Sequence, residues 1–485
     1  MTTSTISLPS KLSTLRQRIP AQYLKLIGIV AFGWLLWYFA QPEELSPQGW
    51  SLFVIFVSTI AAIVIKPLAI GGVCLLAIST LLLTKTLDLT TCLHGFSNDL
   101  IWLILSACFL ARAVIKTGFG KRVAYLFITL CGASPFGLSY GLLLSSITMA
   151  AIIPSTTART GGIIMPVLAA LIQAIQGTSK ASTKESNNTA AFLTLTVFHG
   201  SVIASALFIT ANAGNPIAIK FAASHGVSIS WAMWAGAALV PGLITIALLP
   251  VLIRYFCPCS IAHKQEVAAH AKEELHAMGR VSFGEKGLIA VFSLLLGLWS
   301  LGPLLGVHAT EAAIFGVAAL LIIRVLEWKD IVAEELAWDT FFWLATLLMM
   351  ASELQHQGVT TFFTSKIVHI IPTSSWQLAL TCISCMYFYS HYLFASTTAH
   401  ISAMFPPFLA LAIATGAPPE IATLTLGFLS SLFGGLTNYS SGPAPILFAQ
   451  GFVDIKTWWK IGAITSIVYL LIWLGIGPLW WRVLF

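Results

Sequence analysis

Two short polar runs in this chain have the composition of an anion site. Residues 155–159 read S-T-T-A-R and residues 396–400 read S-T-T-A-H, and both lie inside long apolar stretches. Hydroxyl groups, free backbone amides and basic side chains are the groups that bind carboxylates and other anions, above all at the start of a helix. The residues that carry this prediction are Ser155, Thr156, Thr157, Arg159, Ser396, Thr397, Thr398 and His400.

Each pentapeptide is followed by a second interruption of apolar sequence. The two segments are T-A-N-A-G-N-P-I-A at 210–218 and L-T-N-Y-S-S-G-P-A-P at 436–445. Proline removes a backbone donor and clashes with the preceding helical turn, so both segments predict helices that are broken inside a membrane span. The candidate binding residues in them are Asn212, Gly214, Asn215, Pro216, Thr437, Asn438, Ser441, Gly442 and Pro443.

Each of these features also has a less specific interpretation. A Gly-Pro break can be a kink in a packed helix bundle. Arg159 could pair with a carboxylate, although acids are scarce in the apolar sequence, and a neutral His400 could simply form hydrogen bonds. His199 and His391 are expected to pack within helices, and the Cys382–Cys385 pair lacks the further ligands of a zinc site. The recurrence of both interruptions at matching places favours a binding site.

The composition places these residues in a membrane. Of the 485 residues, 57% are hydrophobic and 9% are charged, and the mean hydropathy is +0.88. A soluble domain carries about 25% charged residues, so this chain has too little charge to cover a soluble surface. Apolar runs such as 24–40, 68–84 and 231–253 approach the roughly 20 residues that cross a bilayer. The net charge of +7 fits basic cytoplasmic loops and does not indicate nucleic-acid binding.

The chain also repeats itself. Ser155 and Ser396 are 241 positions apart, and the same offset aligns Pro166 with Pro407. Downstream the offset shortens to about 228, which aligns the two broken segments, and the polar insert at 177–188 accounts for the change. One offset that aligns several unrelated features predicts two homologous halves.

Counting the spans in each half predicts the architecture. Each half holds five spans if the pentapeptide region enters and leaves from one side, and an odd number inverts the second half. Non-helical backbone at membrane depth must be buried in protein or line a cavity, so the two pentapeptides are expected at the tips of re-entrant hairpins. We therefore expect an all-α polytopic membrane protein of about 11 transmembrane helices plus two re-entrant helical hairpins in two inverted repeats.

The predicted boundaries follow from this count. A cytoplasmic tail and first helix occupy 1–48, and a cytoplasmic linker occupies 257–285. Repeat 1 covers 49–256, with its hairpin at about 137–175 and its broken helix at about 189–225. Repeat 2 covers 286–485, with its hairpin at about 376–414 and its broken helix at about 421–450.

These motifs resemble the divalent-anion/sodium symporter (DASS) family. The family signature is a Ser-Asn-Thr tripeptide at the tip of each of two opposed hairpins, followed in each repeat by an unwound helix that contains proline. The resemblance runs from about residue 50 to the end, and H-Y-L-F-A-S at 391–396 is similar to the branch of plastid 2-oxoglutarate/malate translocators and bacterial dicarboxylate or citrate antiporters. It implies a homodimer that works by an elevator-type movement of the hairpin domain.

The chain departs from the family signature at both tips. Thr156 and Thr397 stand where the signature has asparagine, and Arg159 and His400 follow two residues after the Thr pair. In the symporters the tips help to hold sodium beside the substrate carboxylates. A dianion in a low-dielectric site needs countercharge, which a fixed basic side chain can supply in place of sodium. An empty carrier with a fixed charge is costly to reorient, so obligatory exchange is expected.

The sequence therefore predicts a sodium-independent antiporter of C4 and C5 dicarboxylates such as malate, succinate, fumarate and 2-oxoglutarate. The alternative is a sodium-coupled di- or tricarboxylate symporter of the same fold, since hydroxyl oxygens can also coordinate sodium. No cofactor or metal site is predicted, and the chain lacks the HExxH and GxSxG motifs of enzymes. The expected partners are the anion, the lipid bilayer and a second copy of the chain. We expect a bacterial inner membrane and a cytoplasmic N-terminus.

Overall fold

The computed structural model describes residues 20–39, 41–177, 183–259, 264–368 and 375–484. The basic tail at 1–19, the middle of the polar insert at 178–182 and part of the linker at 260–263 lie outside the described residues. Within the described ranges the chain is helical and contains no β-strand, which confirms the all-α prediction.

In chain order, the helices up to Ala277 are α1 (Ala21–Phe39), α2 (Pro47–Ile65), α3 (Ile70–Leu83), α4 (Leu89–His94), α5 (Asp99–Thr117), α6 (Phe119–Cys131), α7 (Pro135–Ala150), α8 (Met165–Gly177), α9 (Thr183–Leu207), α10 (Gly214–Ala223), α11 (Trp231–Phe256) and α12 (Lys264–Ala277). The helices that follow Ala277 are α13 (Phe283–Leu305), α14 (Ala309–Ile322), α15 (Trp328–Val332), α16 (Glu335–His356), α17 (Val359–Val368), α18 (Trp376–Ser390), α19 (Thr397–Ala414), α20 (Pro419–Leu432), α21 (Pro443–Phe448), α22 (Ile455–Leu470) and α23 (Gly477–Leu484). Two π-helical segments, Ala158–Ile164 and Leu471–Ile476, lead into α8 and join α22 to α23.

Short polar side chains set the starts of the long helices. Ser46, Ser230 and Asp454 each accept a hydrogen bond from a backbone amide in the first turn of α2, α11 and α22. At α13, Ser282 and Glu285 bond reciprocally to each other's backbone amides. Such caps satisfy amides that have no partner inside the helix, so they fix where each apolar run becomes helical.

Eight described helices are long and apolar enough to cross a membrane: Pro47–Ile65, Asp99–Thr117, Ala158–Gln176, Asn187–Leu207, Trp231–Phe256, Phe283–Gly302, Thr397–Ala414 and Ile455–Leu484. Four further apolar helices are shorter: Gln22–Tyr38, Ile70–Leu83, Pro135–Ala150 and Ala309–Ile322. The chain is therefore a multi-pass membrane protein. The number of crossings, the re-entrant path of the hairpins and the inversion of the second half stay predictions.

Packing divides the chain into two compact units. The first contains the described residues from Pro20 to Phe96 together with Phe342–Phe362, and in it α2 packs against both α1 and α3. The second contains Ser97–Phe341 and Phe363–Phe485, and thus holds both pentapeptides and both broken segments. Within the second unit α9 packs against α7, α11 and α20, while α10 packs against α19 and α20.

Two helices are not predicted by the apolar runs in the sequence. They are α6 and α17, and each follows a glycine with left-handed backbone: φ is 73° at Gly118 and 75° at Gly358. This conformation ends the preceding helix and redirects the chain, and only glycine adopts it without steric cost. Lys121 and Arg122 interrupt the apolar sequence of α6, so the segment does not present a continuous apolar run.

Basic side chains near the ends of α5 and α6 pair with carboxylates. Lys116 Nζ lies 2.6 Å from Asp330 Oδ2, and Arg122 Nε lies 2.5 Å from Glu285 Oε1. Arg122 also donates to the carbonyl of Gly279, at 3.0 Å. These ion pairs tie α5 to the short helix α15 and α6 to the start of α13.

Candidate functional site

The first pentapeptide follows α7, and its last two residues, Ala158 and Arg159, begin the π-helical segment. Ser155 Oγ accepts a hydrogen bond from the amide of Ala158 at 3.1 Å, and Thr156 Oγ1 lies 3.0 Å from Ser205 Oγ of α9. Ser155, Thr156 and Thr157 are half-buried, whereas Arg159 is fully buried. The tip therefore keeps part of its hydroxyl surface accessible while its basic side chain points into the protein.

Arg159 lies in a cage of oxygen atoms. Its Nη1 donates to the carbonyls of Ile153 at 2.8 Å and Ala211 at 3.1 Å. Its Nη2 donates to the carbonyl of Ser201 at 3.3 Å and to Ser205 Oγ at 2.9 Å. Among the described residues no carboxylate forms an ion pair with this guanidinium, and its Nε has no hydrogen-bond partner. The buried positive charge is thus held by backbone and hydroxyl oxygens that carry only partial negative charge.

The first broken segment supplies part of this cage. Helix α9 ends at Leu207 and α10 begins at Gly214, and Asn212 between them has extended backbone. The side-chain amide of Asn215 donates to the carbonyls of Ser205 at 2.7 Å and Phe208 at 2.8 Å. These two bonds replace helical bonds that the break and Pro216 remove, because carbonyls at a buried helix end need a donor.

Ser431 at the end of α20 joins the two asparagines of this break. Its Oγ donates to Asn215 Oδ1 at 3.0 Å and accepts from Asn212 Nδ2 at 3.2 Å. Asn212 Oδ1 in turn accepts from the amide of Gly214 at 3.2 Å. Asn215 and Pro216 are buried with their neighbours, so they shape the break, and Asn212 is 8% exposed.

The second pentapeptide caps α19. Ser396 Oγ accepts from the amide of Ala399 at 3.3 Å and lies 3.4 Å from Thr398 Oγ1. Ser396, Thr397 and Thr398 are half-buried and His400 is fully buried, which is the same pattern of exposure as in the first pentapeptide. The two tips are therefore alike in the placement of their hydroxyls relative to their basic side chains.

The surroundings of His400 differ from those of Arg159. Its Nδ1 lies 3.1 Å from Nδ1 of His391, and its Nε2 lies 2.9 Å from Ser390 Oγ. The ring stacks on Tyr387 with centroids 4.9 Å apart, and Phe433 lies 4.6 Å away. The shared repeat position of Arg159 and His400 does not predict this difference in partners.

His391 makes specific polar contacts, whereas its sequence context predicts only packing within a helix. It is fully buried, its Nε2 lies 2.7 Å from the carbonyl of Ser440, and its ring stacks on Phe433 with centroids 4.0 Å apart. The imidazole thus links His400 to the backbone of the second broken segment. Only the short separation of nine positions between His391 and His400 signals this in the sequence.

Side-chain hydroxyls in the second broken segment form hydrogen bonds to the nearby backbone. Ser440 Oγ donates to the carbonyls of Gly434 at 2.6 Å and Thr437 at 2.9 Å, and Thr437 Oγ1 accepts from the amide of Tyr439 at 3.3 Å. Asn438 directs Oδ1 to the indole N–H of Trp459 at 3.2 Å. In the described part of the structure, the buried Oγ of Ser441 has no hydrogen-bond partner.

Direct packing joins the two halves of the candidate site. A Cβ at Gly442 would collide with the hydroxyl of Thr157, and a Cβ at Gly214 would collide with the side chain of Ile401. A Cβ at Gly434 would lie 3.2 Å from Thr397 Cγ2. Each glycine therefore lets residues in or next to a pentapeptide approach closely, and Pro443 starts α21 directly after the Thr157–Gly442 contact.

Sequence reasoning missed several residues of this arrangement. They supply the oxygen atoms that accept hydrogen bonds from Arg159 and the links to the broken segments: Ile153, Ser201, Ser205, Ser390, His391, Ala211, Ser431 and Ser440. The i, i+4 spacing of Ser201 and Ser205 inside an apolar helix is a signal for one polar face. Backbone carbonyls such as those of Ile153 and Ala211 leave no signal in the residue type.

Comparison with known proteins finds a family and relatives that are described as transporters. The sequence profile of the family described as "Sodium:sulfate symporter transmembrane region" matches residues 20–485. The chain is 41% identical over 460 residues to Dicarboxylate transporter 1, chloroplastic, of Spinacia oleracea, covering 94% of this chain and 80% of that protein. It is 43% identical over 460 residues to the putative malate transporter YflS of Bacillus subtilis, covering 95% of this chain and 96% of that protein.

Solved structures share the fold at low sequence identity. The transporter MtrF of Neisseria gonorrhoeae, described as one of a class of antimetabolite efflux pumps, matches with a TM-score of 0.56 and 14% identity over 97% of both chains. The YdaH transporter of Alcanivorax borkumensis matches with a TM-score of 0.54 and 13% identity, over 81% of this chain and 87% of that one. At these identities the likeness concerns the arrangement of helices alone.

Proposed function

Since the chain belongs to the sodium:sulfate symporter family, we propose that it is a secondary active transporter that exchanges C4 and C5 dicarboxylates across a membrane. The relatives described as dicarboxylate and malate transporters support this substrate class. Malate, succinate, fumarate and 2-oxoglutarate are the proposed substrates. The chain is a transporter and not an enzyme, as are its family and relatives.

The observation that carries the proposal of sodium independence is the oxygen cage around Arg159. Unwound backbone carbonyls are the groups that transporters offer to sodium, and hydroxyl oxygens also suit this hard cation. Here three carbonyls and the Ser205 hydroxyl point at a guanidinium. A resident cation held by such ligands supports charge compensation of the substrate without a sodium ion.

A resident charge also favours exchange over net uptake. A carboxylate dianion in a low-dielectric site attracts the Arg159 charge strongly, and its departure leaves that charge without compensation. Reorientation of the empty carrier then moves an uncompensated charge through the membrane domain, which is slow. Reorientation with a second dianion bound avoids this cost, so each outward movement of substrate is coupled to an inward one.

The substrate is proposed to bind the half-buried hydroxyls of the two tips. Ser155–Thr157 and Ser396–Thr398 present oxygens and helix-start amides, which suit a carboxylate at each end of a C4 or C5 chain. The Ser441 hydroxyl has no partner in the described part of the chain and is available to donate to a carboxylate. Arg159 and His400 act behind the tips as countercharge in this proposal.

The transport movement is proposed to be of the elevator type. One compact unit carries both pentapeptides and both broken segments, which supports a movement in which the whole site travels together. A homodimer, a bacterial inner membrane and a cytoplasmic N-terminus complete the proposal. The resemblance of the tip motifs to the DASS family supports the first of these, and the basic tail residues Lys11, Arg16 and Arg18 support the last.

The alternative is a sodium-coupled symporter of di- or tricarboxylates. The half-buried hydroxyls of both tips are oxygen ligands that could hold sodium beside the substrate, and the family description itself names sodium and sulfate. Citrate, tartrate and sulfate therefore belong in any substrate panel.

The proposal is tested by counterflow in proteoliposomes. Purified protein is reconstituted into vesicles that contain either unlabelled malate or buffer alone, and uptake of labelled malate is followed. We expect rapid uptake only into malate-loaded vesicles, with competition from succinate, fumarate and 2-oxoglutarate. Equal uptake into empty vesicles would contradict exchange, and competition by sulfate but not by any dicarboxylate would contradict the substrate class.

A further inference from the structure

The buried imidazoles of His391 and His400 form a continuous chain of polar contacts. When both imidazoles are neutral, the chain has one hydrogen atom fewer than it has contacts. The chain runs from the Ser440 carbonyl to His391 Nε2 at 2.7 Å and from His391 Nδ1 to His400 Nδ1 at 3.1 Å. It continues from His400 Nε2 to Ser390 Oγ at 2.9 Å and from Ser390 Oγ to the Tyr387 carbonyl at 2.8 Å. Both ends of the chain are carbonyl oxygens, which accept hydrogen bonds and cannot donate them.

The two end carbonyls determine where the hydrogens must lie. Because Ser440 O is an acceptor, His391 Nε2 carries a hydrogen, and a neutral His391 then has a bare Nδ1. His400 must therefore supply the hydrogen between the two Nδ1 atoms, which leaves its Nε2 bare. Ser390 has one hydroxyl hydrogen for two acceptors, His400 Nε2 and Tyr387 O. The neutral pair thus lacks one hydrogen for the contacts present.

One added proton completes the chain. With one imidazole in the pair doubly protonated, His400 Nε2 donates to Ser390 Oγ, and Ser390 donates to Tyr387 O, with no movement of a heavy atom. A second added proton would place two hydrogens between the facing Nδ1 atoms, which is repulsive. The geometry therefore has capacity for a single proton shared by the pair.

The surrounding rings suit a positive charge on these imidazoles. Tyr387 and Phe394 lie over His400 with centroids 4.9 and 4.5 Å away, and Phe433 lies against both imidazoles at 4.0 and 4.6 Å. Aromatic faces within about 6 Å attract a cation. The stacking thus offsets part of the cost of a charge in a buried place.

The titratable groups on the neighbouring elements do not form ion pairs with the imidazoles. Among the described residues no carboxylate forms an ion pair with His391 or His400. The titratable groups on the elements packed around the pair are Tyr387 bonded to Ser430, Tyr439 bonded to the Tyr392 carbonyl, Tyr389 bonded to Ser466, His199 bonded to Tyr469, Lys220 paired with Asp99, Lys460 over the Phe256 ring, and Tyr392, Cys382, Cys385, Glu420 and Lys456. A charge on the pair therefore needs compensation from a bound anion.

We propose that His391 and His400 form a proton-binding site that takes up one proton when a dicarboxylate binds and releases it when the dicarboxylate leaves. The inference rests on the proposed function. A dianion carries two charges, and the buried Arg159 supplies one. The proton on the pair supplies the other, and the link through the Ser440 carbonyl connects it to the broken segment beside Ser441 and Gly442. In the empty carrier the pair is neutral, so only one fixed charge remains.

The direct test measures protons during substrate binding. Purified protein in lipid nanodiscs is titrated with fumarate, whose carboxyls are both ionised near neutral pH, in weakly buffered solution with a pH indicator. Binding is followed in parallel by calorimetry. We expect uptake of about one proton for each fumarate bound, because the folded site changes its proton occupancy on binding. Fumarate binding without proton uptake would overturn this inference alone, whereas failure to bind any dicarboxylate would remove the proposed function and the inference with it.

Variants locate the proton. The double variant His391→Gln/His400→Gln keeps amide donors at both positions and removes the titratable nitrogens, so proton uptake should vanish. Ser390→Ala removes the contact that the added proton completes, so the pH dependence of fumarate affinity should move to lower pH. His199→Gln alters a buried histidine of the same unit that bonds to Tyr469, and it should leave the proton count unchanged. Unchanged proton uptake in the double variant, or an unchanged pH dependence of fumarate affinity in Ser390→Ala, would overturn the assignment. The wild-type proton count decides the question if a variant fails to fold.

Discussion

Thr157 of the first pentapeptide lies directly against Gly442 of the second broken segment, so closely that a side chain at position 442 has no space. These residues come from opposite halves of the chain, 285 positions apart. Their contact means that the shape of the first tip depends on the path of the second break. Substitutions at this contact should therefore disturb transport even though neither residue carries charge.

Gly442→Ala should lower the rate of malate exchange. The added methyl group overlaps the Thr157 hydroxyl, and overpacking of this kind costs about 1–3 kcal/mol. Exchange in proteoliposomes and thermal unfolding are measured together. Gly475→Ala is the matched control, since nothing lies within 4 Å of a Cβ at that position. Thr157→Ala should restore part of the lost thermal stability in the double variant, and strict additivity of the two single changes in the unfolding temperature would contradict the contact.

Arg159→Ala should abolish malate exchange in sodium-free medium. Loss of a buried, hydrogen-bonded charge costs roughly 2–5 kcal/mol, which corresponds to a fall of about 30-fold or more in rate or affinity. The same variant leaves the carbonyls of Ile153 and Ala211 and the Ser205 hydroxyl without their donor, so added sodium should restore some activity. Arg280→Ala, at an exposed position after α12, serves as the control. Full exchange by Arg159→Ala without sodium would contradict the role of the guanidinium.

Asn215→Ala should destabilise the protein, because the Asn215 side-chain amide donates to two buried carbonyls of the first broken segment. The change leaves the carbonyls of Ser205 and Phe208 buried without the side-chain donor, at about 1–3 kcal/mol for each unsatisfied group. A lower midpoint of thermal unfolding in detergent is the expected result. Gln450→Ala is the control, because that exposed side chain makes one long bond of 3.4 Å to Ile446 O. An unchanged unfolding midpoint for Asn215→Ala would show that water replaces its amide.

Asp330 should make stability depend on pH. Burial opposes ionisation of this carboxyl, but hydrogen bonds from Lys116 Nζ and the Glu327 amide outweigh it and lower the pKa of Asp330 below its ordinary value. A lowered pKa means that the stabilisation is complete above the ordinary carboxyl pKa of about 3.9 and is lost as the pH falls through the folded value.

Asp330→Asn should therefore lower the unfolding temperature at neutral pH, and its difference from the wild type should shrink as the pH falls through the acid range. Thermal unfolding at a series of pH values measures this. Glu273→Gln, at an exposed position of α12, should show a small difference that does not vary in the same way. A constant difference for Asp330→Asn at all pH values would mean that its contribution is not electrostatic.

Much of the helical framework can be predicted from the sequence. The apolar runs at 24–40, 68–84 and 231–253 place α1, α3 and α11 within a few residues of their observed bounds, because length and hydropathy decide where an apolar helix begins and ends. In the described structure helices end at Leu207 and Leu432 and begin again at Gly214 and Pro443, near the Asn, Gly and Pro residues that act through local backbone geometry. Helices α6 and α17 could not be predicted from hydropathy, because their polar residues interrupt the apolar runs.

The partners inside the candidate site are harder to predict. The offset of 241 predicts similar roles for Arg159 and His400, but a repeat fixes only the backbone path and not the side chains that approach from other helices. Ser201, Ser205 and His391 come from those approaching elements. Any residue type can supply a carbonyl oxygen, so the cage around Arg159 has no sequence signature beyond the arginine itself.

The central claim is that the Arg159 guanidinium takes the place of a transported sodium ion. The most direct test is the sodium dependence of wild-type malate exchange, measured in malate-loaded proteoliposomes with sodium replaced by choline on both sides. We expect the same rate and affinity with and without sodium, and no labelled sodium carried with malate. A rate that rises with sodium to saturation, together with sodium uptake coupled to malate, would contradict it.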